Sequence, residues 1–108
     1  MPRRHEARAL KAQAEGVEKR PVIEYPAEGE TVVSPAYTIR IDAPASVEAL
    51  DVSIDQGPWQ ACRKDVGYWW YDWAAYTDGE HDVIARVRGR SGRWRMSSPR
   101  AVVVATTA

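Results

Sequence analysis

The sequence predicts an all-β fold, a single antiparallel β-sandwich of about seven strands behind a short charged tail. Three observations carry that prediction. Apolar and polar residues alternate with period two in short runs, Gly, Pro and Asp turns separate those runs, and 108 residues with 44% hydrophobic content match one domain with one core.

The tail comes first. Residues 1–20 are rich in Arg, Glu, Ala and Lys, with Ala7, Leu10, Ala14 and Val17 at helical spacing. Leu10 is the one large aliphatic residue among the first sixteen, so a flexible segment or a short helix is expected there. Gly16 interrupts the pattern and Pro21 opens a stretch of different period. The expected division is therefore a tail over 1–20 and a sandwich over 21–108.

The first strand is expected over residues 22–25, ended by Pro26 and the turn Glu28-Gly29-Glu30. Residues 31–33 can rejoin a sheet edge before Pro35. Tyr37, Ile39 and Ile41 alternate with Thr38, Arg40 and Asp42, which sends the first set inward and the second to solvent. Leu50, Val52 and Ile54 alternate with Asp51, Ser53 and Asp55 in the same way. Asp55-Gln56-Gly57 is then a tight reversal in which Asp opens a type I turn and Gly57 takes a positive φ. A return strand is expected over 59–63, followed by an aromatic strand over 68–73 and a turn at Thr77-Asp78-Gly79. In the next strand Val83, Ala85 and Val87 share one face, with Asp82, Ile84, Arg86 and Arg88 on the other. Gly89 to Gly92 closes the last hairpin, and a terminal strand over 94–97 and 100–105 follows, with Pro99 as a kink or edge marker.

Composition narrows the functional classes. Cys62 is the single cysteine, so no internal disulfide forms and packing must hold the fold, as a reducing compartment allows. No apolar run reaches 18 residues and the N-terminus has no apolar signal core, so the expectation is a cytoplasmic protein without a membrane partner. The net charge of zero conceals a segregation. Residues 1–20 hold six bases and three acids, residues 21–82 three bases and twelve acids, and residues 83–108 six arginines and no acid. Neighbouring strands that neutralise one another explain such blocks, as does steered association.

The run from Val47 to Trp59 (VEALDVSIDQGPW), the aromatic strand Tyr68-Trp69-Trp70-Tyr71-Asp72-Trp73, and Asp78-Gly79-Glu80-His81 leading into Ile84-Ala85-Arg86-Val87 together resemble bacterial immunoglobulin-like domains of the early-set, fibronectin-III-like type. They are also similar to the C-terminal immunoglobulin-like domain of sulfite-oxidase-type enzymes, where V-x-V-S-x-D-G-G-x-W, an aromatic strand and G-x-H/Y-x-I-x-A-R-A recur in that order. The resemblance covers residues 21–105 and implies an immunoglobulin-like fold. In that enzyme family the domain supports dimerisation and the cofactor lies on a separate domain, so an accessory role is what carries over.

Two groups of residues stand out as candidate surfaces. Six of the nine residues from 68 to 76 are Tyr or Trp in a chain without Phe. In a strand they split into Trp69, Tyr71 and Trp73 on one face and Tyr68, Trp70 and Asp72 on the other. One set can fill the core, while the other, with Trp59, can present rings to a sugar, a peptide or a protein. Which set is inside stays open at this point. The second group is the arginine series Arg86, Arg88, Arg90, Arg93, Arg95 and Arg100 around Trp94. Arginine beside an aromatic ring suits phosphate and stacked bases, but a sequence pI near 6.7 is far below the range of nucleic-acid binders. Pairing with Asp72, Asp78, Glu80 and Asp82, or with an acidic partner, is the expected role of these arginines.

Enzyme chemistry finds little purchase. The two histidines, His5 and His81, lie in the tail and beside a turn, and Cys62 has no neighbouring His to serve as its base. No phosphate-cradling loop, His/Cys metal spacing or calcium loop is present, so no cofactor is expected. Asp51, Asp55, Asp78, Glu80 and Asp82 would hold calcium only if their loops converged; their ordinary role is to solvate turns. The reading that results is a non-catalytic protein-interaction or assembly module, with a protein partner or self-association. Its candidate surface is drawn from Trp59, Tyr68, Trp69, Trp70, Tyr71, Trp73, Arg86, Arg88, Arg93, Trp94 and Arg95. Carbohydrate binding by the 68–76 rings is the alternative, and nucleic-acid binding by the arginine hairpin comes last.

Overall fold

The computed structural model describes residues 20–106. The expected tail over 1–20 therefore lies outside the described residues except for Arg20. Ten strand segments follow in order: β1 (Val22–Tyr25), β2 (Thr31–Val32), β3 (Ala36–Asp42), β4 (Ala49–Ile54), β5 (Gln60–Ala61), β6 (Arg63–Asp65), β7 (Tyr68–Ala74), β8 (Gly79–Arg88), β9 (Trp94–Met96) and β10 (Arg100–Val104). They form two sheets. The first has the order β1-β3-β7-β6, and the second runs β2-β10-β8-β4-β5 with β9 also paired to β8.

The all-β sandwich predicted by the alternation is present and the apolar strand faces are as expected, whereas Ser53, expected toward solvent, is buried with its hydroxyl donating to Gly57 O. Ile39, Ile41, Leu50, Val52, Val83 and Ala85 are all at most 1% exposed and meet Ile23, Val32, Val102 and Val104 between the sheets. Each such aliphatic side chain contributes about 1.5–3 kcal/mol by leaving water. Tyr37, Ile54 and Tyr71 pack against this core without being fully buried. The aromatic strand resolves in favour of its odd residues, since Trp69 and Trp73 are 7% and 6% exposed and fill the space that Phe takes elsewhere.

Three expectations need correction. The reversal after β4 places positive φ on Asp55 (54°) and Gln56 (61°), not on Gly57. With Gly57 N–H donating to Ile54 O at 2.9 Å, this is the geometry of a type I′ turn, whose twist matches paired strands. Glycine is favoured at 57 for a different reason: a Cβ there would stand a tight 3.0 Å from the Ile54 carbonyl oxygen. Second, the return strand expected over 59–63 is two strands in two sheets. β5 pairs with β4, and after Cys62, whose N–H donates to Leu50 O at 2.9 Å, β6 pairs with β7.

Third, the pairing is not wholly antiparallel, because β2 runs parallel to β10. The turn after Pro26 carries the chain from the first sheet to the second. Glu30 Oε1 accepts the Ala27 N–H at 2.8 Å and fixes that turn. The terminal strand divides around Pro99 as expected, and a bulge marks the division. Met96 pairs with Arg86 and Arg100 with Val83, so Ser97, Ser98 and Pro99 oppose only two residues of β8. Ser97 repairs the break. Its Oγ accepts the buried Ala85 N–H at 2.9 Å and donates to Ser98 O at 2.9 Å.

Candidate functional site

The outer face of the second sheet carries an alternating stack of tryptophan and arginine. The β4–β8 register sets Asp51 opposite Arg86, and the β8–β9 register sets Trp94 opposite Arg88 and Met96 opposite Arg86. Trp59 reaches the same face from the loop after the type I′ turn, which Ser53 Oγ braces by donating to Gly57 O at 2.8 Å. The Arg86 guanidinium carbon lies 4.3 Å from the Trp59 ring centre and 4.0 Å from that of Trp94. Arg88 continues the stack at 5.4 Å on Trp94. Asp51 Oδ2 accepts from Arg86 Nε at 3.1 Å and Nη2 at 3.0 Å. A planar, weakly hydrated guanidinium is suited to lie between two rings while its edge donates to a carboxylate.

The stack is held together by contacts within the chain itself. Asp51 and Arg86 side chains are 18% and 25% exposed, so neither swings freely in water. Beside them Trp94 is 39% and Met96 47% exposed. Trp, Arg and Met are the residue types that concentrate at the centres of protein interfaces.

The outer face of the first sheet repeats the device with tyrosine. Arg40 lies 4.6 Å from the Tyr25 ring and 4.3 Å from Tyr68, and its Nη2 is 2.7 Å from Glu24 Oε1. Tyr68 and Trp70 meet edge to face at 6.0 Å, and Trp70 Nε1–H donates to Asp65 O at 2.9 Å. Further along, Asp72 accepts from Arg63 at 2.7 Å and from Thr38 at 3.1 Å. The Arg63 hydrogen bond, with that of Thr38, holds the Asp72 carboxyl below its usual range.

Of the sequence candidates, Trp59, Arg86, Arg88 and Trp94 come together on one face, and Tyr68 and Trp70 on the other. Trp69 and Trp73 point into the core and offer no surface, and Tyr71 packs against the core. Arg93 and Arg95 lie at the end of the sandwich, away from the stack, lining a small cleft. The expected arginine partners are also corrected: Arg86 pairs with Asp51, and Arg100 with Glu28 at 3.2 Å. Asp78 instead accepts from Thr106 N–H at 3.0 Å and from its hydroxyl at 2.7 Å. Four participants were missed by sequence reasoning: Asp51 as the anchor of Arg86, Met96, and Tyr25 with Arg40. Outward alternation marked Asp51 and Arg40, but only the strand order decides what each faces.

At the opposite end, Asp55 and His81 join the type I′ turn to the start of β8. His81 Nδ1 is 2.6 Å from Asp55 Oδ2 and Nε2 is 2.7 Å from Thr77 O, while Asp55 Oδ1 accepts the Asp82 N–H at 2.9 Å. Among the described residues no group of three or more His, Cys, Asp or Glu is placed to hold a metal ion. Asp51 pairs with Arg86, Asp55 with His81, and Asp78 accepts from the Thr106 hydroxyl. Burial, with the charge of Asp51 adding to it, pushes the Cys62 thiol up to about 12. Among the described residues no helix is long and apolar enough to cross a membrane.

No protein-family model matches the chain, and no curated protein sequence matches it. Solved structures do. The fibronectin(III)-like modules of CbhA from Clostridium thermocellum superpose with a TM-score of 0.69 at 15% identity, covering 82% of this chain and 98% of that one. An engineered protein solved at 1.98 Å gives 0.64 at 24% identity over 82% of this chain, and the endo-beta-1,4-mannanase double mutant of Cellulomonas fimi gives 0.56 at 21% over 80%. The chain spans 21% of the engineered protein's length and 19% of the mannanase's. What these likenesses establish is the fold: an immunoglobulin-like, fibronectin-III-like β-sandwich.

Proposed function

We propose that the chain is a non-catalytic protein-interaction module that docks through the outer face of its second sheet onto an acidic protein surface. The observation that carries this reading is the ordered Trp59–Arg86–Trp94–Arg88 stack with Trp94 and Met96 exposed beside it. Rigid aromatic anchors lose little conformational freedom on binding, so they give more affinity per unit area than flexible groups. The charge of Arg86 is already matched by Asp51. Arg88 is exposed at the end of the stack, and it supplies the cation that an acidic partner meets. The likeness of the fold to the fibronectin(III)-like modules of CbhA supports a non-catalytic module.

The test compares capture of proteins from source-cell lysate by the native chain and by a Trp94→Ala/Met96→Ala variant, with light scattering on both. A stoichiometric partner, acidic at its contact surface, retained by the native chain and lost by the variant supports the reading. Equal capture by both, or no capture by a monomeric native chain, refutes it.

Carbohydrate binding is the second reading, and it rests on the half-buried Tyr68 and Trp70 on the first sheet. It draws less support, because stacking on a sugar needs an open ring face. Arg40 covers one face of Tyr68, and Trp70 meets that ring edge to face. Retardation on polysaccharide gels that is lost in Trp70→Ala would favour it.

A further inference from the structure

At the end of the sandwich where the β3–β4 and β8–β9 connections meet, two turns are fastened together. Val47 N–H donates to Pro44 O at 3.1 Å and Gly92 N–H to Gly89 O at 3.0 Å, so each turn closes on itself. Glu48 N–H donates to Arg88 O at 2.9 Å and links one connection to the other. At Gly89 a Cβ would stand 3.5 Å from Ser46 O, which measures how closely the two turns approach. Between them is a cleft of about 200 Å³, lined by Pro44, Val47, the hydroxyl residues Ser46 and Ser91, and three arginines, Arg90, Arg93 and Arg95.

The charged residues that line this cleft are all arginines. Among the described residues no Asp or Glu lines it, and residues 83–108 contain six arginines and no acid. Arg90 and Arg93 are exposed and bring two like charges to one small space, and an oxyanion between them turns their repulsion into attraction. Ser91 Oγ accepts the Arg93 N–H at 3.3 Å, which steadies the arginine-bearing side of the turn. In size the cleft falls below the roughly 300–1,000 Å³ of pockets that enclose whole organic ligands. It fits a single anionic group.

We infer that this cleft is an oxyanion site that binds one carboxylate or phosphate group, with Arg90 and Arg93 as the principal donors and the Ser46 and Ser91 hydroxyls as secondary ones. Guanidinium forks match both groups through paired N–H donors. The site does not depend on the tryptophan stack, which faces a different side of the molecule. The ligand's source is either free phosphate or an acidic side chain of a partner, and the two share this chemistry.

Heteronuclear NMR of the full chain tests the inference, with sodium phosphate as one probe and a capped di-aspartate peptide as the other, at ionic strength held constant with sodium chloride. The expected result is a saturable shift of amides in residues 45–47 and 89–95, with affinity at least tenfold weaker in Arg90→Gln/Arg93→Gln and the rest of the spectrum unchanged. A response to phosphate alone assigns the free ion, a response to the peptide alone assigns a partner carboxylate, and a response to both supports the shared chemistry. Arg90→Lys/Arg93→Lys keeps the charge and loses the fork, so it should fall between the native chain and the glutamine variant. No saturable shift with either probe, or equal affinity in the glutamine variant, overturns the inference. Neither result bears on capture through Trp94.

Discussion

Raising the pH through neutrality should loosen the end of the sandwich held by His81. Both of its ring nitrogens face acceptors, a carboxylate oxygen at 2.6 Å and a carbonyl oxygen at 2.7 Å, and only the doubly protonated ring donates to both. Burial opposes that charged form, but the hydrogen bonds to Asp55 and Thr77 outweigh it and hold the His81 pKa above its ordinary value. Burial likewise works against the Asp55 carboxylate, and the bonds from His81 and the Asp82 N–H still hold its pKa below the usual carboxylate range. The histidine's contribution is therefore complete below the ordinary histidine pKa and is lost as pH rises through the elevated folded value. That of Asp55 is present above the ordinary carboxylate pKa and is lost as pH falls through the depressed one. The two coexist fully at about pH 5 to 6.

A hydrogen bond to a charged group contributes about 1.5–3 kcal/mol. The Asp55 side chain is 49% exposed, and water competes for it, which brings the expected loss above neutrality to about 1–2 kcal/mol. For a domain of this size that lowers the thermal midpoint by about 4–8 °C per kcal/mol. The assay is urea unfolding from about pH 5 to pH 8.5 on the native chain, His81→Gln and Asp55→Asn. The native chain should lose stability across that range, and His81→Gln should start lower and stay flat. A native curve that is level or rises with pH, or an unchanged slope in His81→Gln, would refute the argument.

Three further outcomes are expected. Val83→Asp should abolish the cooperative unfolding transition, because the position is 0% exposed and an unpaired charge there costs several kcal/mol; circular dichroism reads this out, with about 3–5 kcal/mol as the scale for an uncompensated buried charge. Ser97→Ala should destabilise the chain by about 1–3 kcal/mol in denaturant titration, since the buried Ala85 N–H loses its acceptor at the bulge. Cys62, with its thiol pushed up to about 12, should resist alkylation at mildly alkaline pH until the chain unfolds, and the labelling rate should track the unfolding transition.

The sandwich was legible because alternation is a local signal that a two-faced sheet must obey. Ile39 and Ile41, Leu50 and Val52, and Val83, Ala85 and Val87 all fall on the predicted faces. What remained hidden depended on relations between distant segments. Nothing local to residues 59–65 shows that the chain changes sheets at Cys62, because each piece is only two or three residues long. Gly57 was recognised as favoured, but the reason is a carbonyl 3.0 Å away and not its own φ. The arginine partners were misassigned for the same cause. Acids close in sequence to the arginine hairpin seemed the natural choice, whereas Asp51 faces Arg86 because β4 neighbours β8.

The aromatic strand posed a choice between core filling and surface display, and the two outer faces show why both descriptions hold. Alternation gives Trp69 and Trp73 to the core, and Tyr68 and Trp70 are left outside with Trp59 and Trp94 on the opposite sheet. Exposed rings on a β-surface invite aggregation. Here each set is interleaved with an arginine, Arg40 between Tyr25 and Tyr68, and Arg86 between Trp59 and Trp94, and each arginine is fixed by a carboxylate. The ring faces are thus occupied by cations from the same chain, and the carboxylates cancel the added charge. On the first sheet Tyr25 is the exposed end of the row, at 47%, and Glu24 sits against Arg40 beside it. On the second, Trp94 has Arg88 and the exposed Met96 for neighbours, and no carboxylate is seen on Arg88 among the described residues. One structural device therefore leaves a charge-matched face on one side and an apolar, cationic one on the other, and the proposed docking rests on the second.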